Sequence, residues 1–296
     1  MMTDAAPQRP PATASDVIRS ILRATTDRLF ATESAAMADV PDGLHQHRTH
    51  VRRLRSILAG FGRYLDEPTA QALRVQFGEW GGQLGVVRDI EVRAQVAGAA
   101  MDELGIRDPA MRTRLVDAEL EEYARAHARL RELHDGPRMR ARKAALARLA
   151  AAPPFTAAAD AEPGTLEEVA RREARRVRRA AKRSDGSIES LHELRKAGRR
   201  LRYVAEALNE AAPDQFGDDF AELAAAGEAV HDALGDHRDE LIFIERIELA
   251  RAQAGRAGER VEPYDALISR SRRRAADRLD GLGHALRRVR KAARRL

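Results

Sequence analysis

The chain is predicted to be all-α, and three observations predict it. Of its 296 residues 44% are hydrophobic but only 4% aromatic, glycine and proline are few, and runs of β-branched residues are almost absent. A core of such a chain must be built from Leu, Ala and Val on helices. Apolar residues also recur at helical spacing along most of the length, which is the periodic signature of amphipathic helices. The third observation is a pair of motifs that occurs twice in the same order, Leu44-His45-Gln46-His47-Arg48 onward and Leu191-His192-Glu193-Leu194-Arg195 onward. A repeat of that kind marks two related halves.

Taken in order, residues 1–14 are Pro/Ala-rich and lack the apolar core of a signal peptide, so a disordered tail is expected there. Helical patterns follow at 15–38, 42–66, 69–103, 108–135 and 138–150, and residues 15–150 form the first expected bundle. The stretch 151–164, with Pro153-Pro154 and Pro163-Gly164, breaks the pattern and reads as a linker. The second bundle, 165–296, has patterns at 165–184, 187–210, 214–235, 237–254 and 263–294. Asp42 and Ser187 stand where N-caps of the two motif helices are expected. Short connections predict antiparallel neighbours in each half. No stretch approaches the roughly 18 apolar residues of a membrane span.

Both copies of the first motif read L-H-x-x-R-x-x-x-R-R-L-R, and each is followed by L-G-x-x-R-D, at Leu84–Asp89 and Leu234–Asp239. On a helix of about 100° per residue, His45, Arg48, Arg52 and Arg55 fall within an arc of roughly 80°. His192, Arg195, Arg199 and Arg202 do the same in the second copy. Leu44, Val51, Leu54 and Leu58 make an apolar face that borders the basic stripe, so a neighbouring helix can wall a basic groove. Like charges at this spacing cost a few tenths of a kcal/mol per pair, about 0.2–0.5. An anion explains why the arrangement is present twice, because guanidinium forks bind phosphate oxygens in bidentate fashion and stay charged at physiological pH. A stripe of about 15 Å suits several consecutive phosphates better than one. His45, His47 and His50 also invite a metal reading, but the second copy keeps only His192, and no metal site is expected. Gly85 and Gly235 either permit close helix packing or mark a bend. Arg88 and Arg238 are candidates to join the cluster, with Asp89 and Asp239 as orienting partners for the arginines.

The net charge of +6 is unevenly placed. Residues 171–202 carry 13 basic and 4 acidic side chains, and residues 270–296 carry 11 and 2, whereas 203–245 has 12 acids against the single Arg238. Such placement favours a defined polyanion groove over general adhesion. The absence of cysteine removes disulfides, thiol nucleophiles and thiolate metal sites, and suits a cytoplasmic chain. A phosphohydrolase is disfavoured: no G-x-x-x-x-G-K-[ST] occurs, and Asp89 and Asp239 are single acids amid arginines. No enzymatic activity, cofactor or membrane contact is expected. Nucleic acid is the alternative partner, though few aromatics are present to stack bases.

The duplicated motifs resemble those of the CHAD family (conserved histidine α-helical domain), over about residues 15 to 294. The resemblance implies two tandem four-helix bundles related by pseudo-twofold symmetry, with a basic central surface that binds inorganic polyphosphate. Carried over by motif, the implied binding positions are His45, Arg48, Arg52, Arg53 and Arg55, with His192, Arg195, Lys196, Arg199, Arg200 and Arg202. Thr49 stands where the second copy has Lys196, so weaker binding by the first stripe is expected. Many relatives carry an amino-terminal triphosphate tunnel domain with E-x-E-x-K. No such motif is found here, and a stand-alone binding module, recruited to polyphosphate granules or recruiting others to them, is the expectation.

Overall fold

The computed structural model describes residues 13–296, and these are all-α: among them there is no strand, only an isolated antiparallel bridge between Leu65 and Phe155. Residues 1–12 of the expected tail lie outside the described residues. Residues 13 and 14, expected in that tail, instead begin a helix: Thr13 and Asp16 form a reciprocal capping box and Ala14 is buried as the first residue of α1 (Ala14–Ala31). That pairing satisfies two backbone donors that a helix start otherwise leaves open.

A turn at Thr32 separates α1 from α2 (Glu33–Met37), and α3 (Gly43–Gly60) carries the first motif. Asp42 is not a side-chain cap. Its backbone is left-handed (φ 63°), and its carboxylate accepts from Gln46 Nε2 at 2.6 Å instead. α3 stops short of the expected residue 66, at Gly60, which meets α9 so closely that a Cβ there would lie 2.6 Å from Val204 Cγ2. The long helix α4 (Glu67–Glu103) is capped by Asp66, which accepts from the Thr69 N–H at 3.0 Å. α5 (Pro109–Arg112) passes through a π-turn at Thr113–Asp117 into α6 (Ala118–Asp135), and α7 (Pro137–Ala151) completes the first half.

The segment after α7 is strapped down by backbone bonds: Asp66 N–H to Pro154 O, Thr156 N–H to Tyr64 O, and Ala14 N–H to Ala161 O. It leads into α8 (Glu167–Arg183) and then α9 (Ile188–Ala211), which Ser187 caps as expected. α10 (Pro213–Arg256) runs through Gly235, where the sequence suggested a break, and bends instead at Gly217 (φ 30°). The expected last helix is two, α11 (Glu262–Asp280) and α12 (Leu282–Ala292), parted at Gly281.

The main core draws on both halves: Ile18, Leu54, Phe61, Phe77 and Trp80 belong to the same buried cluster as Leu201, Val204, Leu223 and Val230. A smaller cluster joins the C-terminal parts of α4 and α10 through Met101, Met111, Phe243 and Tyr264. α3 packs directly on α9, so the two motif helices meet in the middle of the molecule. Arg53 fastens them, reaching Glu206 at 3.0 Å and Glu210 at 2.7 Å on α9.

α9 and α10 approach most closely at Gly198 and Gly227. A Cβ on Gly227 would stand 2.8 Å from Arg202 N and 2.9 Å from Gly198 O, both backbone atoms that cannot yield. Gly227→Ala is therefore expected to lower the urea-unfolding free energy by about 1–3 kcal/mol, despite alanine's better helix propensity. An unchanged midpoint would show that α10 can shift outward at little cost.

Candidate anion-binding site

The crossing of α3 and α9 brings the two stripes face to face. The guanidiniums of Arg48 and Arg195 feel one another, as do those of Arg52 and Arg199. The second motif explains how they are seated. A Cβ on Gly85 would lie 3.3 Å from Arg48 Nη2, and one on Gly235 would lie 3.1 Å from Arg195 Nη2. Each motif glycine is thus the bare patch of helix on which the other motif's arginine rests, and neither is a bend. This contact couples L-H-x-x-R to L-G-x-x-R-D in both halves. Gly235→Ala should leave the melting temperature unchanged or raise it, since alanine gains about 1 kcal/mol in a helix, while weakening polyphosphate binding several-fold by displacing Arg195. A titration of that variant with no loss of affinity would remove Gly235 from the site.

These arginines lack carboxylate partners at close range. Arg48 has only Asp89, at 3.5 Å, and Arg52 only the Thr49 hydroxyl, at 3.3 Å. Arg55, Arg195 and Arg199 make no ion pair and no side-chain hydrogen bond among the described residues, and the Nε of all five arginines is buried without a partner. Burial, then Arg52 and Arg195, push the Arg199 guanidinium down to about 9, so it remains charged at neutral pH. Arg48, Arg52, Arg55 and Arg195 are lowered first by burial as well. Buried donors with no acceptor are costly in an empty protein. An anion would supply the acceptors.

The cluster divides into two connected spaces. A pocket of about 200 Å³ is lined by His45, Arg48, Arg52, Arg88, Arg195 and Arg238, with Asp89 and Asp239 at its wall. A groove of about 700 Å³ is lined by Arg52, Arg55, Lys196, Arg199 and Arg200 among others. Arg52 belongs to both. Several candidates are engaged elsewhere: Arg200 forms a bidentate pair with the buried Glu173 (2.5 and 2.8 Å), and Arg202 holds Glu206 (2.7 Å) and Glu228 (2.9 Å). Arg88 pairs with Glu91 at 2.8 Å, and Lys196 with Glu193. Arg53, Arg202 and His192 line neither space. Of the two orienting candidates, Asp89 touches Arg48, whereas Asp239 makes no ion pair among the described residues and is raised by burial, with Asp89 adding to the rise against Arg195.

Burial, then Arg88, lower His45, and burial, then Lys196, lower His192. His47 turns the other way, into the core, where its Nε2 accepts from Trp80 Nε1–H at 3.1 Å and burial pushes it down to about 4. No group of three or more His, Asp or Glu side chains that could hold a metal ion occurs among the described residues.

Sequence reasoning missed His231. It is 6% exposed, its Nδ1 has no partner, and it lines the smaller pocket. Burial and then Arg195, Arg199 and Arg52 push it down to about 2, so it is neutral. The duplication hid it, since the matching position in the first half is Gly81. Its spacing to Gly235 and Asp239, four and eight residues on, places all three on one helical face and was the available signal. Also missed were Arg74 on α4 and Arg176, Arg179, Lys182 and Arg183 on α8, which complete the larger groove.

The sequence profile of the CHAD domain matches residues 20–248. Two uncharacterized proteins of Mycobacterium tuberculosis, MT2285 and Rv2226, are each 27% identical over 296 residues, covering 97% of this chain and 55% of their own length. The chain therefore spans about half the length of the curated relatives it matches. Among solved structures, the CHAD domain from the plant Ricinus communis superposes with a TM-score of 0.68 at 20% identity, covering 97% of this chain and 96% of that one. PptA from Streptomyces chartreusis gives 0.64 at 19% identity, covering 95% and 99%; both show a shared fold. With its paired motifs seated against one another on α3, α4, α9 and α10, and the profile matched over most of its length, the chain belongs to the CHAD-domain family.

Proposed function

We propose that this chain binds inorganic polyphosphate, without cleaving it, in the groove between α3 and α9. One observation carries the reading: five arginines from two repeats converge with buried, unpartnered Nε–H groups and no carboxylate at hydrogen-bond distance. A linear polyanion with acceptors on every unit fits such a row better than a single phosphate. Membership in the CHAD family, which is linked to polyphosphate, supports the same ligand. For catalysis, Asp89 and Asp239 are poorly placed to hold a cation, the first beside Arg48 and the second in the field of Arg195 and Arg238. In this reading the protein serves as a recruiting or granule-associated module. No helix among the described residues is long and apolar enough to cross a membrane.

Binding of labelled long-chain polyphosphate across a salt series, with duplex DNA as competitor, tests the proposal. The five arginines, neutralising phosphates, should contribute about −3.5 to the slope of log K against log[salt]. Displacement by an equal phosphate equivalent of DNA would sink the assignment in favour of generic nucleic-acid backbone binding. Phosphate release in the presence of Mg²⁺ would overturn its non-catalytic half.

The pH dependence follows from His45, the motif histidine that lines the pocket. In the empty site burial, then Arg88, hold it below its usual value, and a bound anion counters the cationic field. Its bound-state pKa is then the higher one, so affinity strengthens as pH falls through it and levels off below the free-state value. Binding should be tighter near pH 6 than near about pH 8, and His45→Gln should flatten the profile, whereas His192→Gln should not.

A further inference from the structure

On α8, α11 and α12 the cations divide into paired and unpaired sets. On α11 Arg270, Arg272, Arg274 and Arg278 are engaged by carboxylates, at 2.7, 3.1, 2.9 and 3.1 Å respectively, and Arg273 alone of its arginines makes no ion pair among the described residues. The N-terminal half of α8 is likewise paired: Arg171 with Glu167, Arg175 with Glu168, and Arg176 with Glu173. By contrast Arg178, Arg179, Lys182 and Arg183 at the other end of α8 make no ion pair among the described residues. Neither do Arg287, Arg288, Arg290 and Lys291 on α12.

The two unpaired sets adjoin. α12 packs on α8, and between them lies a hollow of about 310 Å³, where Arg178, Lys182 and Arg290 stand over an apolar floor of Val177, Leu286 and Val289. No carboxylate lines it. Lys182 also lines the 700 Å³ groove, so the two spaces share a wall. Cations in the last turn of a helix complement its dipole, which accounts for Lys182, Arg183, Arg290 and Lys291. It does not account for Arg178, Arg179, Arg287 and Arg288, which lie a turn earlier. Arg178 and Lys182 of α8 and Arg290 of α12, gathered round one hollow, repel unless something anionic lies between them.

We propose that the polyphosphate track continues past the duplicated stripes. It leaves the groove beside Lys182, crosses the α8–α12 hollow, and lies along Arg178, Arg287, Arg290 and Lys291 as a second, exposed subsite for the same chain of phosphates. This rests on the groove binding polyphosphate as read above. Exposed contacts are individually weak, but a polymer already held in the groove meets them at high effective concentration. The track thereby makes affinity depend on ligand length: tripolyphosphate occupies the groove alone, and only long chains reach α12.

The quadruple variant Arg178→Gln, Arg287→Gln, Arg290→Gln, Lys291→Gln tests it, since all four side chains are exposed and no hydrogen bond or ion pair is lost. Tripolyphosphate should bind with unchanged affinity. Long-chain polyphosphate should bind at least tenfold more weakly, with a salt slope shallower by up to about 3, at about 0.7 per lost contact. Unchanged affinity and slope for the long chain would overturn the proposal. So would equal losses for both ligands, or a loss confined to duplex DNA, which would assign the surface to nucleic acid. A companion variant with Arg178→Lys, Arg287→Lys and Arg290→Lys keeps the charge and should retain long-chain binding; its failure to do so would trace the loss to altered packing. If tripolyphosphate fails to bind the unaltered protein, the groove reading fails instead, and the two failures are distinguishable.

Discussion

Replacing Arg48, Arg52, Arg195 and Arg199 together by alanine is expected to weaken long-chain polyphosphate binding by about a thousandfold. Hydrogen bonds to charged groups are worth about 1.5–3 kcal/mol each; discounting to about 1 kcal/mol for a flexible ligand leaves roughly 4 kcal/mol, or three decades in Kd. The four side chains come from both repeats and line the two adjoining spaces, so neither space keeps its central arginines. Fluorescence anisotropy of an end-labelled chain measures the loss, and circular dichroism checks that the helices persist. Affinity within a few-fold of the unaltered protein would mean the stripes are not the site.

The second expectation concerns stability and runs against the usual direction for a buried substitution. Arg52→Met and Arg199→Met should each raise the stability of the ligand-free protein, by about 1–3 kcal/mol, because methionine fills a similar volume without a desolvated, unpartnered charge. The lowered guanidiniums of Arg52 and Arg199 mark the same uncompensated crowding. Urea unfolding in phosphate-free buffer checks this. With ligand the order should reverse, since a ligand at a hundred times its Kd stabilises the native state by about 2.7 kcal/mol. Arg53→Met is the internal contrast: it removes the guanidinium that joins Glu206 to Glu210, leaving them with Arg202 and Arg28 alone, and should destabilise by about 1–3 kcal/mol. If Arg199→Met were less stable than the parent, packing of the arginine stem would outweigh the repulsion.

Much of this architecture was legible in the sequence. The apolar periodicity located the helical stretches, Ser187 capped α9 as its position suggested, and the glycine of L-G-x-x-R-D was visibly out of place in a helix. Breaks and joins were less legible. Gly60, where α3 ends, lies close against Val204, and Gly235, through which α10 runs, lies under Arg195; both partners are distant in sequence. His231 escaped because a repeat reveals only what is duplicated.

The sequence by itself determined that this protein is all-α and duplicated, and that four basic positions in each half share one helix face, because helical period and charge are local properties. Only the tertiary structure decided which of those cations are free. Arg53, Arg200 and Arg202 are neutralised by Glu206, Glu210, Glu173 and Glu228, whereas Arg52, Arg55, Arg195 and Arg199 meet no carboxylate. On the sequence Arg202 is indistinguishable from the free arginines of its stripe. The difference arises because a charge's environment is set by whichever helices pack against it, and those contacts join residues up to 157 positions apart.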